Sequence, residues 1–228
     1  MILFKRHNAG GGSFEEQRRD MVERQLRRNG IRDERVLAAM GAVPREAFVP
    51  PNQQPYTYVD GALPIEHGQS ISQPYMVALM TEALELAGPE RVLEIGTGTG
   101  YQVAVLAALC EQVYSVERIA ELAETARQRL ASLGVDNAEI TVGDGTLGWP
   151  EHAPYNGIIV TAGAPRAPEP LVEQLADGGR LVIPVGDRFT QMLIAYTKQP
   201  GALRERNLCA CKFVPLLGAY GWPASRAT

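Results

Sequence analysis

Cysteine is scarce: Cys110, Cys209 and Cys211 are the only three in 228 residues, and none lies in a C-x-x-C pair or beside a histidine cluster. That argues against a disulfide framework, structural zinc or thiol redox chemistry, so no metal site is expected and a reducing, cytoplasmic setting is. Histidine is as rare, with His7, His67 and His152 the whole complement, and no nucleophile-and-base triad can be assembled around them. No stretch approaches the ~20 continuous apolar residues of a membrane-spanning helix. The apolar run from Ile2 to Phe4 is too short for a signal peptide. Basic blocks are missing too: 22 Lys plus Arg against 26 Asp plus Glu leave a net charge of -4, which disfavours nucleic acid as a partner.

What is present is the composition of one ordinary globular domain, 45% hydrophobic and 21% charged. Residues 1–13, with three successive glycines, read as a flexible lead-in, 14–222 as a single domain and 223–228 as a tail. The chain is expected to act as a monomer. Helical spacing predicts a helix over 14–29 closed by Gly30 and a second over 33–40. Residues 41–72 are rich in Pro, Gly, Asn and Gln, a long loop of the kind that is usually functional. A helix starts at Ser72-Gln73-Pro74, carries Met76, Leu79, Met80, Ala83, Leu84 and Ala87 at helical spacing, and is stopped by Gly88-Pro89.

Short strands and helices then alternate: strands at 91–95, 113–117, 138–142, 157–161 and 180–185, with helices at 101–109, 119–133 and 169–175. The expected fold is α/β, a doubly wound, mostly parallel Rossmann-like sheet with N-terminal helices. Strand-like runs at 191–196 and 208–217 have no helix between them and predict a late antiparallel pair at one side. Cys209 and Cys211 fall on one face of the second run, as a pair of buried thiols.

The strand at 91–95 runs straight into Glu94-Ile95-Gly96-Thr97-Gly98-Thr99-Gly100, so Gly96, Gly98 and Gly100 lie at the carboxyl edge where doubly wound sheets bind ligands. Glu117 follows at the end of the next strand, where a carboxylate can accept from both hydroxyls of a ribose. The spacing is G-x-G-x-G rather than the dinucleotide G-x-G-x-x-G, and Glu94 beside the loop would repel a pyrophosphate but suit a cation. S-adenosylmethionine, with a sulfonium and an ammonium, is such a ligand. Asp144, in Gly143-Asp144-Gly145 at a third strand end, can accept from an adenine amino group. Any one of these acids alone reads as well as a loop acid or helix cap; all three at one edge do not.

These residues resemble the protein-L-isoaspartate O-methyltransferase family over roughly 21–222. The most specific block is Gly143-Asp144-Gly145-Thr146-Leu147-Gly148-Trp149 followed by Ala153-Pro154-Tyr155-Asn156-Gly157-Ile158. Val43-Pro44-Arg45, Gly68-Gln69-Ser70-Ile71-Ser72-Gln73-Pro74-Tyr75 and Val116-Glu117-Arg118 also match. The resemblance implies methyl transfer from S-adenosylmethionine to the free carboxylate of isoaspartyl residues in damaged proteins and peptides, a repair reaction. It implies that the segment Ser70, Ile71, Ser72 closes over cofactor and substrate, with Ser72 the active-site hydroxyl; Gly145 joins the cofactor set with the other glycines. Spacing alone reads Ser72 equally as a helix N-cap. Glu66, His67 and Ser70 depart from the commoner pattern, and Glu66 is expected to point to solvent.

A carboxylate with a pKa of ~4 is already ionised at neutral pH, so this acceptor needs no general base. The segment 213–216 could pair with a substrate peptide as an added strand, or equally be a strand of the sheet. His67 is read as a solvent-facing loop residue and His152 as a surface turn residue. Three rivals stay open: a methyltransferase of another substrate class, a non-catalytic module that keeps the fold, and a nicotinamide dehydrogenase, against which the glycine spacing counts.

Overall fold

The computed structural model describes residues 12–223. The lead-in at 1–11, with His7, and the tail at 224–228 lie outside the described residues. Ser13, assigned to the lead-in by sequence, is instead the N-cap of α1 (Phe14–Asp20), in a reciprocal capping box with Glu16. The helical path runs on through Met21–Arg27, where the ladder widens to π spacing and buries Met21, Val22 and Leu26. Asp33 caps α2 (Glu34–Ala42). Three 3-10 turns and a two-residue antiparallel pair, β1 (Leu63–Pro64) with β2 (Ser70–Ile71), then carry the chain to α3 (Pro74–Glu82).

The central sheet is built from β3 (Arg91–Ile95), β4 (Gln112–Glu117), β5 (Ala138–Val142), β6 (Tyr155–Val160), β7 (Leu175–Gly186), β8 (Gln191–Gln199) and β9 (Ala202–Cys211), in the order β5-β4-β3-β6-β7-β8-β9. The first five pair in parallel, and β7-β8-β9 are antiparallel. The connecting helices α4 (Tyr101–Ala107), α5 (Ala120–Ser132) and α6 (Glu169–Glu173) complete the α/β alternation. One apolar core joins the N-terminal helices and α4 to one face of the sheet; a second, around Leu93, Ile158, Leu171, Leu181 and Ile183, lies on the other. Chain order reverses at β3, which has β4 on one side and β6 on the other, and a crevice opens outside the carboxyl ends at such a switch point.

Three expectations are corrected. The helix predicted to run to Gly88 ends at Glu82, because Leu84 turns in to pack against Gly157 and Glu85 takes a positive φ of 51°. The late strand begins at Ala202 and ends at Cys211, whereas 208–217 was expected; Pro215 has no N–H for a ladder, and the segment leaves the sheet to cross its carboxyl edge, held by paired hydrogen bonds of Val214 and Leu216 to Gly163 at 2.8 Å. Cys209 and Cys211 are half-buried rather than buried, and burial still pushes the Cys211 thiol up to about 11.

Candidate functional site

The edge outside β3 is lined by two adjoining cavities that share Ser70, Gly96, Gly98 and Thr161. The larger, about 180 Å³, runs along Gly96 and Gly98 to Glu117, Arg118, Gly145 and the crossing segment Val214–Leu217. The smaller, about 50 Å³, is lined by Ser70, Ile71, Ser72, Glu94, Thr97, Tyr101 and Gln102 among others. Eight of the ten residues singled out by sequence therefore meet at one crevice. Gly100 and Asp144 line neither cavity.

The glycine loop is shaped by contacts as well as by conformation. Gly96 has a φ of 96°, and a Cβ there would strike the Thr161 hydroxyl, which donates to the carbonyls of Gly96 (2.8 Å) and Ile95 (3.0 Å). Thr161 was missed in the sequence, although its place at the end of the β6 strand, at the same edge, was the available signal. Gly100 faces away: a Cβ on it would meet Ala126 and Leu130 of α5, so this glycine packs the loop onto a helix.

The two acids are held differently. Glu117 spans the loop, its Oε2 accepting from Gly98 N at 2.9 Å and its Oε1 from Ile119 N at 3.0 Å, which fixes the carboxylate facing the larger cavity. Glu94 is fully buried, with Oε2 accepting from the Ser115 hydroxyl at 2.6 Å and Oε1 left without a partner. Burial pushes its pKa up to about 8; the Ser115 hydrogen bond opposes the shift and the charge of Glu117 adds to it. A buried carboxyl oxygen without a donor fits a ligand that brings N–H groups and positive charge.

Asp144 accepts from Thr146 N (2.9 Å) and Oγ1 (2.6 Å) through Oδ1, and from Ala219 N (2.7 Å) through Oδ2. Partial burial works to raise its pKa, but the Thr146 and Ala219 hydrogen bonds outweigh it and hold the carboxyl below its usual value. Its observed work is to tie the 218–220 turn to the third strand end. Ser72 is half-buried and is not the N-cap of α3; that position belongs to Gln73, whose amide reaches Asp60 instead. The capping reading of Ser72 is thereby overturned, and its hydroxyl stays uncommitted beside the smaller cavity. Glu66 and His67 are exposed, as expected. His152 is not a simple surface turn residue: its ring stacks on Tyr114, centroids 4.1 Å apart, in a cluster with Trp149.

A switch-point crevice with a G-x-G-x-G loop, one acid spanning that loop and another buried beneath it defines an S-adenosylmethionine-dependent methyltransferase. The comparisons narrow the class. The family model described as protein-L-isoaspartate(D-aspartate) O-methyltransferase matches residues 16–221. A protein-L-isoaspartate O-methyltransferase 2 of Pelobacter propionicus is 59% identical over 91% of this chain and 94% of its own, and one of Geobacter metallireducens is 55% identical over 92% and 98%. Among solved structures, a protein-L-isoaspartate O-methyltransferase superposes with a TM-score of 0.79 at 31% identity, covering 92% of this chain and 67% of that one. A Plasmodium falciparum structure, described as a putative member in complex with S-adenosyl-L-homocysteine, gives 0.75 at 28%, covering 88% and 98%. The chain belongs to the protein-L-isoaspartate(D-aspartate) O-methyltransferase family.

Proposed function

We propose that this protein moves a methyl group from S-adenosylmethionine to the free carboxylate of L-isoaspartyl residues in damaged proteins and peptides, and that residues 14–222 form its single catalytic domain. The observation that carries the reading is the partnerless Oε1 of Glu94, buried at the wall of the cavity that Ser72 also lines. It puts the demand for a cationic ligand next to an uncommitted hydroxyl suited to a carboxylate. S-adenosylmethionine, when bound, supplies an electrophilic methyl group.

The chain's own residues bind and align. Glu94 accepts from the ammonium, and Glu117 offers its remaining lone pairs to the ribose hydroxyls. Gly96, Gly98 and Gly145 let the ligand approach the backbone, with Ser70 and Ile71 closing the opposite wall. Ser72 donates to the acceptor carboxylate and fixes its direction. Asp144 supports this set by holding the 218–220 turn near the adenine end, and Gly100 by seating the loop on α5. The acceptor arrives ionised, so alignment is the main contribution, worth up to roughly 7 to 11 kcal/mol in favourable systems. In-line displacement needs no proton removed, which is consistent with a crevice whose lining has no histidine.

Action as a monomer in the cytoplasm, without nucleic acid, completes the proposal. It is supported by three free thiols and a net charge of -4. No helix among the described residues is long and apolar enough to cross a membrane. The test is methyl transfer from labelled S-adenosylmethionine to two synthetic peptides that differ only in L-isoaspartate or L-aspartate at one position. Base-labile label on the isoaspartyl peptide alone is expected; label on neither peptide, with cofactor binding intact, overturns the substrate assignment.

A further inference from the structure

Arg45 is the bulkiest fully buried side chain among the described residues. Its Nε donates to the Thr57 carbonyl at 2.9 Å and its Nη2 to the Ser72 carbonyl at 2.8 Å, while Nη1 has no partner. No carboxylate pairs with it among the described residues. Its neighbour Glu46 is occupied by Arg18 at 3.3 Å and by the Tyr58 hydroxyl. The guanidinium lies 4.8 Å from the centre of the Tyr101 ring, and Tyr101 and Ser72 both line the smaller cavity.

Burial lowers the pKa of Arg45, and the nearby Tyr101 and Tyr58 hydroxyls only partly offset that; an arginine nevertheless stays charged. A buried cation without a counter-ion is costly, and two backbone carbonyls could be tied by a neutral amide instead. The charge therefore calls for an anion that the described chain does not itself supply. Glu94, the acid lining the smaller cavity, makes no ion pair with Arg45: its Oε2 accepts from Ser115, and in the proposed complex its Oε1 faces the cofactor's ammonium.

Resting on the acceptor reading of that cavity, we propose that Arg45 is a positioning residue which ties down the backbone at Ser72 and, through its uncompensated charge, selects an ionised carboxylate over a neutral group beside Ser72. The selection acts through Tyr101 and the Ser72 backbone, without direct contact between Arg45 and substrate. Removing the charge then weakens capture of the acceptor and leaves cofactor affinity nearly alone.

The experiment compares Arg45→Met with Arg45→Lys, similar in length and different in charge. Each is measured for KM on an isoaspartyl peptide, for the dissociation constant of S-adenosylhomocysteine, and for the affinity ratio of the isoaspartyl peptide over its uncharged isoasparaginyl counterpart. Arg45→Met is expected to cut that ratio by about tenfold, with Arg45→Lys recovering most of it, and to change homocysteine-adduct affinity by less than about threefold. An unchanged ratio in Arg45→Met, or equal losses in both variants, overturns the proposal. Should neither variant fold, the wild-type ratio decides: a buried charge is poorly screened, so the ratio is expected to hold between about 0.05 and 1 M salt, and its collapse in salt assigns the selection to exposed cations instead. A wild-type enzyme that does not methylate the isoaspartyl peptide fails the functional reading itself, which is a different result from an active enzyme indifferent to Arg45.

Discussion

The two walls of the crevice are built in opposite ways. On the cofactor wall, regular strands end in a loop held mainly from neighbouring strand ends, Glu117 to Gly98 and Ile119, Thr161 to Gly96, Ser115 to Glu94, with α5 beneath Thr99 and Gly100. On the acceptor wall, residues 43–72 form 3-10 turns and a two-residue strand pair, and the segment around Ser72 is held by that pairing, by the Gln73 amide on Asp60 and by one buried arginine reaching across 27 positions. A wall made by a sheet tolerates little change in shape. A wall of short turns pinned at a few points can vary with less disturbance to the sheet, and substrate selection is better placed there.

The largest effect expected from breaking this contrast is Gly96→Ala. The added Cβ meets the Thr161 hydroxyl at a positive φ, so a loss of about 2 to 4 kcal/mol in stability is expected, read as a fall in Tm together with loss of cofactor binding. Glu117→Ala is next: losing a carboxylate that orders the loop and holds a ribose should weaken S-adenosylhomocysteine binding by about 30- to 100-fold in calorimetry, with the melting temperature moving much less than in Gly96→Ala. On the other wall, Ser72→Ala is expected to lower kcat/KM for the isoaspartyl peptide by about tenfold while cofactor affinity stays within about twofold.

Glu94 sharpens the contrast through pH. Its pKa is raised in the folded state, to about 8, so between the unfolded value near 4.5 and 8 the folded chain binds the extra proton and stability falls as pH rises. A cationic ligand favours the ionised form, so binding should release up to about one proton near pH 7 and tighten toward pH 8. Calorimetry in two buffers of different ionisation enthalpy reads that proton, and Glu94→Gln should abolish its release. The smallest effect is Gly100→Ala, where strain at a φ of 89° should cost about 1 kcal/mol of stability with cofactor affinity within about twofold. A large affinity loss there would return Gly100 to the ligand contacts.

The same contrast explains what was legible in the sequence. Strands at 91–95 and 138–142 were placed to the residue, and the acids Glu94 and Glu117 found at the right edge, because apolar runs ending in glycine loops are local signals. Thr161 needed the pairing of β6 beside β3, a contact 65 positions apart. Arg45 gave no local sign of burial, since an arginine in a Pro-rich loop reads as exposed until the Thr57 and Ser72 carbonyls are brought to it. The crossing of 212–217 over the edge was hidden for the same reason: its apolar residues mimic a strand, and only the hydrogen bonds to Gly163 show otherwise.

The most direct test of the two-wall account is a crystal structure with S-adenosylhomocysteine and an isoaspartyl peptide bound together. The account predicts ribose hydroxyls on Glu117, the ammonium at Glu94 Oε1, and the isoaspartyl carboxylate on the Ser72 side, in line with the sulfur. A carboxylate seated elsewhere, or an ammonium that leaves Glu94 Oε1 without a donor, would contradict it.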